Sequence, residues 1–152
     1  MPLTVDITKR LQGFTLNVSF AAEAGVTALL GASGSGKSMT LRCIAGVEKP
    51  DEGSIVLDGR VLYDSKQKID LPPQERRVGY LFQRYALFPN MTVLQNIDAG
   101  LSRERDARAK KAKRENLISR FQLDGLEQRY PRELSGGQMQ RVALCRMLAG
   151  EP

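Results

Sequence analysis

Histidine and tryptophan are absent from these 152 residues, and cysteine occurs only at Cys43 and Cys145. Without histidine or a CxxC pair, the chain suggests neither a metal site nor a disulfide framework. Both cysteines fall in helical patterns and are expected as buried thiols, which fits a reducing cytoplasm. No apolar run approaches the roughly 18–20 residues of a membrane span. The opening Met1-Pro2-Leu3-Thr4-Val5-Asp6 has neither a basic start nor an apolar h-region, so no secretory signal is expected. The net charge of +6 raises nucleic acid or an acidic membrane as partners. Much of that charge lies in one segment, from Arg103 through Arg108, Lys110, Lys111 and Lys113 to Arg114, broken by Glu104 and Asp106. Mixed signs with interleaved alanines read as a solvated helix face. Weak attraction to anionic lipid is the sharper alternative. No aromatics interleave there to stack bases, which argues against nucleic acid.

The most informative stretch present is Gly31-Ala32-Ser33-Gly34-Ser35-Gly36-Lys37-Ser38. It follows an apolar run, Val26–Leu30, and opens a helical pattern near Lys37. Gly, four residues, then Gly-Lys-Ser is the spacing of a phosphate-binding loop. The glycines let the backbone curl so that successive amides face phosphate oxygens, and the helix N-terminus adds partial positive charge. Lys37 would reach the β- and γ-phosphates, and the Ser38 hydroxyl would take one position on Mg²⁺. The plain alternative is a glycine-rich turn between a strand and a helix.

Around it the pattern is mixed α/β. Leu3-Val5-Ile7 and Phe14-Leu16-Val18-Phe20 alternate as half-buried strands do. Val26–Leu30 reads as a strand feeding the loop. The helix after the loop carries Leu41, Ile44 and Ala45 on one face and stops at Gly46. Residues 54–57 and 60–63 flank Asp58-Gly59 as a β-hairpin, and Pro72-Pro73 marks a surface loop. Val78–Gln83 reads as a short buried strand with Gln83 at its carboxyl end, where ligands of open α/β sheets bind. Tyr85-Ala86-Leu87-Phe88 is unusually apolar for a loop. From Thr92, an expected N-cap, the pattern is helical through to Tyr130. Leu134-Ser135-Gly136-Gly137-Gln138 then carries a capping box, Ser135 with Gln138, so a helix should begin there with Met139, Val142, Cys145 and Ala149 on one side. Its glycines clear side chains from the free amides, giving a second anion site by the same physics. A capped helix start with no ligand is the plain alternative.

These stretches together resemble the ATP-binding subunits of ABC transporters. In that family Gly31–Ser38 matches Walker A, Gln83 the Q-loop glutamine and Leu134–Gln138 the signature. Leu71–Gln83, Gly59–Leu62 and Ala86–Pro89 look like the oxyanion-importer branch, molybdate first, with sulfate and tungstate importers behind. The resemblance implies a P-loop NTPase of α/β class: a RecA-like core with an antiparallel β portion over 1–83, and a helical subdomain over 84–152. It implies ATP and Mg²⁺. Nucleotide would be held by Gly31, Ala32, Ser33, Gly34, Ser35, Gly36, Lys37, Ser38 and Met39 of one copy and by Ser135, Gly136, Gly137 and Gln138 of another. Lys37 and Gln83 would serve hydrolysis, with Ser38 and Gln83 on the metal. The implied partners are a second copy placed head to tail, a transmembrane permease docked near the 85–88 loop and, indirectly, a periplasmic or extracellular solute-binding protein. No nucleic acid is implied. The place is the cytoplasmic face of the membrane, peripherally.

Three departures accompany the resemblance. The sequence ends at Glu151-Pro152, where the family continues into a strand bearing a metal-binding Asp and the catalytic Glu, so an N-terminal fragment is expected. The family's switch histidine is missing. No aromatic stands before Phe14 to stack on adenine, so Arg10 or Leu11 is expected there, with Phe14 in the core. The competing reading is a nucleotide-binding module without turnover, either a truncated product or a soluble ABC protein. These 152 residues are therefore expected not to hydrolyse ATP usefully, since loss of a general base costs about 10²–10⁴-fold. A phosphate-release assay with Lys37→Ala as contamination control checks this. Turnover above that control, at more than about one per cent of an intact subunit's rate, would mean another carboxylate serves.

Overall fold

Alternating apolar residues build the first element. β1 (Leu3–Leu11) turns Val5 and Ile7 inward, and both are buried. It pairs antiparallel along its whole length with β2 (Phe14–Ala22), from Leu3 opposite Ala22 to Leu11 opposite Phe14. Its other edge pairs with β3 (Glu52–Leu57), followed by β4 (Arg60–Asp64) and β5 (Ile69–Asp70), in the sheet order β2-β1-β3-β4-β5. The Asp58-Gly59 turn between β3 and β4 has positive φ at both residues, 52° and 76°. That conformation matches the twist of a two-residue hairpin. The β1–β3 pairing also requires Gly53, where a methyl group would stand 1.9 Å from the Asp6 carbonyl oxygen.

This computed structural model describes residues 2–152 and separates into two units, one running to Val78 and the other spanning Gly79–Pro152. In the first, helix α1 (Lys37–Ala45) buries Cys43 and Ile44 among Val5, Ile7, Ile55, Leu62 and Tyr63 of the sheet. Gly46 ends α1 in the left-handed conformation, φ 78°, with its amide donating back to Arg42 and Cys43 carbonyls. Two expected strands do not form. Val26–Leu30 and Val78–Gln83 join no ladder, and Val26 and Leu30 are almost fully exposed. A run of this type becomes a strand only where a neighbouring strand offers its backbone amides and carbonyls for pairing. Among the described residues every ladder is antiparallel and is taken by β1–β5.

Arg76 organises the far end of α1. It lies in the short helix α2 (Pro73–Arg76), which occupies part of the expected proline loop, and its side chain is buried. Its guanidinium donates to the Cys43 carbonyl (2.7 Å), the Ile44 carbonyl (3.0 Å), the Leu71 carbonyl (2.7 Å) and the Asp70 carboxylate (3.1 Å). The Ile44 carbonyl is an orphan of the α1 C-terminus, and the Cys43 carbonyl is shared with the Gly46 amide. Burial lowers the Arg76 pKa, and Asp70 opposes that shift.

The second unit is helical. Thr92 caps α3 (Val93–Gly100) through a capping box with Gln95, and Asp106 caps α4 (Ala107–Arg120). A 3₁₀ turn at Pro131–Glu133 leads into α5 (Gly136–Ala149). Val93, Ile97, Leu101, Ile118, Val142 and Cys145 form the core. The helical pattern does not run on to Tyr130. α4 stops at Arg120, Gln122 turns left-handed (φ 53°), and the Leu123 amide returns to the Ile118 carbonyl at 2.9 Å. The basic segment forms a half-exposed face tied by Lys113–Glu104 (2.9 Å) and Arg114–Asp98 (2.9 Å). Both thiols are buried as expected, and desolvation pushes Cys43 up to about 11 and Cys145 up to about 12. Neither is a thiolate at neutral pH.

Arg76→Met is expected to destabilise the first unit by about 3 kcal/mol, because it removes buried hydrogen bonds to backbone carbonyls and leaves Asp70, among the described residues, with Lys49 alone. Urea titration followed by circular dichroism measures it. An unchanged midpoint would show that the guanidinium contributes nothing net.

Candidate functional site

The loop between residues 31 and 36 is shaped by its glycines and by one residue of the sheet. Gly36 is the N-cap of α1 with φ 91°, and a methyl group on it would stand 2.5 Å from the Leu16 side chain. Leu16 is itself buried on β2. Sheet packing therefore presses directly on the cap, and its left-handed φ would strain any other residue. Thr40 fixes the same carbonyl from the other side. Its amide (2.8 Å) and hydroxyl (3.1 Å) both donate to the Gly36 oxygen.

This geometry leaves donors without acceptors. The Ser35 amide closes a turn on the Ala32 carbonyl at 3.2 Å. The amides of Gly34, Gly36, Lys37 and Ser38 meet no acceptor among the described residues. No side chain caps α1 and no acidic residue lies in its first turn. The Lys37 ammonium folds back over the loop, donating to the carbonyls of Gly31 (2.8 Å) and Ala32 (2.7 Å) and approaching the Ser35 hydroxyl (3.4 Å). Free amides, a helix N-terminus and a lysine held over one curl form an anion cradle. Ser33 and Ser38 are exposed at its rim, and Met39 packs back toward the sheet core.

The second expected anion site falls at the start of α5. The Ser135 hydroxyl accepts from the Gln138 amide (3.3 Å), while the Ser135 amide donates to the Gln138 side-chain oxygen (2.8 Å). This reciprocal cap leaves the Gly136 and Gly137 amides without acceptors among the described residues. Nothing stands within 4 Å of where a side chain on either glycine would begin. No acid occupies this first turn either. Leu134, buried, anchors the entry.

Gln83 opens the turn 83–86 and is exposed, so it does not end a ladder-bonded strand as expected. Phe14 is not a core residue. It is 40% exposed at the first position of β2, and a methyl group on Gly36 would stand 3.3 Å from its ring. Its place directly after the Gly13 turn was the available signal, since a strand's first residue overhangs the sheet. Arg10 is committed to an ion pair with Glu52, and Leu11 is half-buried. Among the described residues no cluster of three or more Cys, Asp or Glu could hold a metal alone. Arg76 and Arg146 were not singled out from sequence, because the carbonyls of Cys43 and Ile44 for the first, and of Tyr85 and Ala86 for the second, lie far away along the chain and leave no local pattern.

Comparison with known proteins gives a consistent result. The ABC transporter family profile matches residues 15–152. The chain is 43% identical over 150 residues to the molybdenum import ATP-binding protein ModC of Paramagnetospirillum magneticum, covering 99% of this chain and 41% of that protein. It is 49% identical over 151 residues to the sulfate/thiosulfate import ATP-binding protein CysA of Synechocystis, covering 97% and 41%. The chain thus spans about two fifths of the length of these curated relatives. A dimeric ATP-binding cassette solved in a post-hydrolysis state with ADP and Pi superposes with a TM-score of 0.79 at 28% identity, covering the whole of this chain and 71% of that one.

Lys37→Ala is expected to remove a charge-assisted contact worth about 1.5–3 kcal/mol. Affinity for a nucleoside triphosphate should then fall roughly one to two decades. Titration with a fluorescent nucleotide measures this, and equal affinities would take the role from Lys37.

Proposed function

The chain belongs to the ABC transporter family, and from that premise we propose that it is the ATP-binding, ATP-hydrolysing part of an importer. The observation that carries the reading is the pair of glycine-led helix N-termini, on α1 and α5, each with unsatisfied amides and no acidic residue in its first turn. One such site serves many phosphate ligands. Two of them in one chain suit two sides of a nucleotide shared between copies. ATP would lie on Gly31–Met39 of one subunit and be closed over by Ser135, Gly136, Gly137 and Gln138 of a second, arranged head to tail.

The chain's own residues then divide the work. Backbone amides of the loop and Lys37 bind and orient the β- and γ-phosphates. Ser38 and Gln83 would each offer an oxygen to Mg²⁺, which would supply charge neutralisation when bound with the nucleotide. The Gly136 and Gly137 amides add positive field where charge spreads over the transferring phosphoryl group. Positioning and electrostatic stabilisation account for most of phosphoryl-transfer catalysis. Residues 1–83 would form the nucleotide-binding core and 84–152 the helical subdomain.

The relatives named for molybdenum and for sulfate/thiosulfate import support a small oxyanion as the solute, and of these molybdate is the one we propose. The partners are a transmembrane permease, with a periplasmic or extracellular solute-binding protein beyond it. The subunit would sit peripherally on the cytoplasmic face of the membrane. No helix among the described residues is long and apolar enough to cross a membrane. Phe82, Phe88 and Met91 supply exposed apolar surface around the loop expected to dock it. Leu87 does not, because it packs against the helical core.

Ser135→Arg in the intact protein tests the shared site. Nucleotide affinity of the monomer should stay within about twofold, while ATP-dependent dimerisation falls by at least about tenfold. Light scattering of the ATP-trapped species reads the second quantity. Dimerisation at the wild-type level would mean that the start of α5 does not face nucleotide.

A further inference from the structure

The loop after Gln83 is held in a conformation that its residues do not favour. Tyr85 (φ 58°) and Ala86 (φ 47°) are consecutive, left-handed and not glycine. Such backbone persists only where its surroundings over-determine it. Here those surroundings are two side chains from different helices.

Arg146, in the last turn of α5, donates through Nη2 to the carbonyls of Tyr85 (3.3 Å) and Ala86 (2.7 Å). Its guanidinium lies over the Phe88 ring, 4.9 Å from the centroid, and its Nη1 reaches the Asn96 side-chain oxygen at 3.4 Å. Asn96, fully buried on α3, closes the loop from the other side. Its oxygen accepts from the Phe88 amide (2.9 Å), and its nitrogen donates to the carbonyls of Phe88 (3.2 Å), Met91 (3.0 Å) and Thr92 (3.0 Å). No carboxylate lies within ion-pair distance of Arg146 among the described residues. Loop carbonyls, one amide oxygen and a ring face therefore solvate this half-buried cation. Desolvation lowers its pKa. Directly behind it, α3 and α5 meet backbone to backbone: a methyl group on Gly100 would stand 2.2 Å from the Arg146 carbonyl oxygen.

We propose that Arg146 is a positioning residue that, with Asn96, locks the Tyr85–Phe88 loop to α5, so that the loop and the glycine-led start of α5 move as one body. The functional consequence rests on the transport reading above. Gly136 and Arg146 are ten residues apart on one helix, about 15 Å along its axis. Any movement that carries the Gly136 and Gly137 amides onto a phosphate is then delivered to the loop at the other end. A helix is stiff over that length, and the planar guanidinium fixes the loop's direction as well as its distance. The same contacts would matter for stability alone if the loop served only to cover the core.

Hydrogen exchange on the intact protein separates these roles. The amides of Tyr85, Ala86 and Phe88 each have an acceptor, so loop opening is directly readable. In Arg146→Lys and Arg146→Met, exchange at those three should accelerate at least about tenfold while mid-α5 amides keep their wild-type rates. Lysine retains the charge but lacks the planar fork, so it should not rescue. In the assembled transporter, both variants should keep nucleotide affinity and ATP turnover within about twofold and lose at least about tenfold in ATP-driven solute uptake. Unchanged loop exchange would overturn the lock. Loop and mid-α5 exchange rising together would reduce Arg146 to a structural strap, and wild-type uptake with a released loop would remove the coupling. A wild-type protein that binds no ATP would defeat the transport reading and the coupling with it, and the exchange measurement would still decide the lock.

Discussion

A helix N-terminus binds an anion only if its first amides are left without protein acceptors, and the surrounding structure is arranged to keep them so. At α1 the cap is Gly36, pinned from below by Leu16 and through its carbonyl by Thr40, with no side chain competing for the amides. At α5 Ser135 and Gln138 satisfy each other, and the glycines between them stay bare. Unsatisfied donors cost free energy when buried. Both turns are largely solvent-exposed, so water meets that cost, and under the proposed function a phosphate would replace it.

Each of these helices is also fixed near its other end by an arginine that reaches backbone carbonyls. Arg76 comes to α1 from outside and satisfies its terminal carbonyls, so the helix carrying Lys37 cannot rotate without breaking buried bonds. Arg146 belongs to α5 and reaches outward to a loop. The first arrangement holds a binding helix still against the sheet. The second ties a helix to a neighbouring segment, the contact on which the proposed coupling rests. Guanidinium suits both because its donors lie in one plane with fixed directions and its charge is not lost on partial burial.

The apolar runs on either side of this machinery show how context decides secondary structure. Residues 26–30 and 78–82 have strand composition, yet neither joins a ladder. Strands 3–11, 14–22, 52–57 and 60–64 have no stronger composition, but each has a partner brought alongside by a short turn or by the β1–β3 pairing. Antiparallel pairs close through nearby chain, whereas a parallel strand needs neighbours arriving from far away.

Sequence by itself determined what depends on a few consecutive residues. The phosphate loop, the Thr92 N-cap, the Ser135 capping box, the Asp58-Gly59 hairpin and the Gly46 stop are all readable because they are set by residues only a few positions apart. The inward face of α5 followed for the same reason, since helical periodicity is local. Tertiary structure alone decided the rest. It placed Phe14 outside the core at the edge of the phosphate loop, left two apolar runs without ladders, ended α4 before residue 121, and gave Arg76 and Arg146 their partners. Arg76 bonds carbonyls 32 and 33 residues away, and Arg146 bonds carbonyls 60 and 61 residues away. A backbone carbonyl has the same chemistry at every position, so no residue type marks the acceptor. Only the folded path of the chain brings it within reach of the donor.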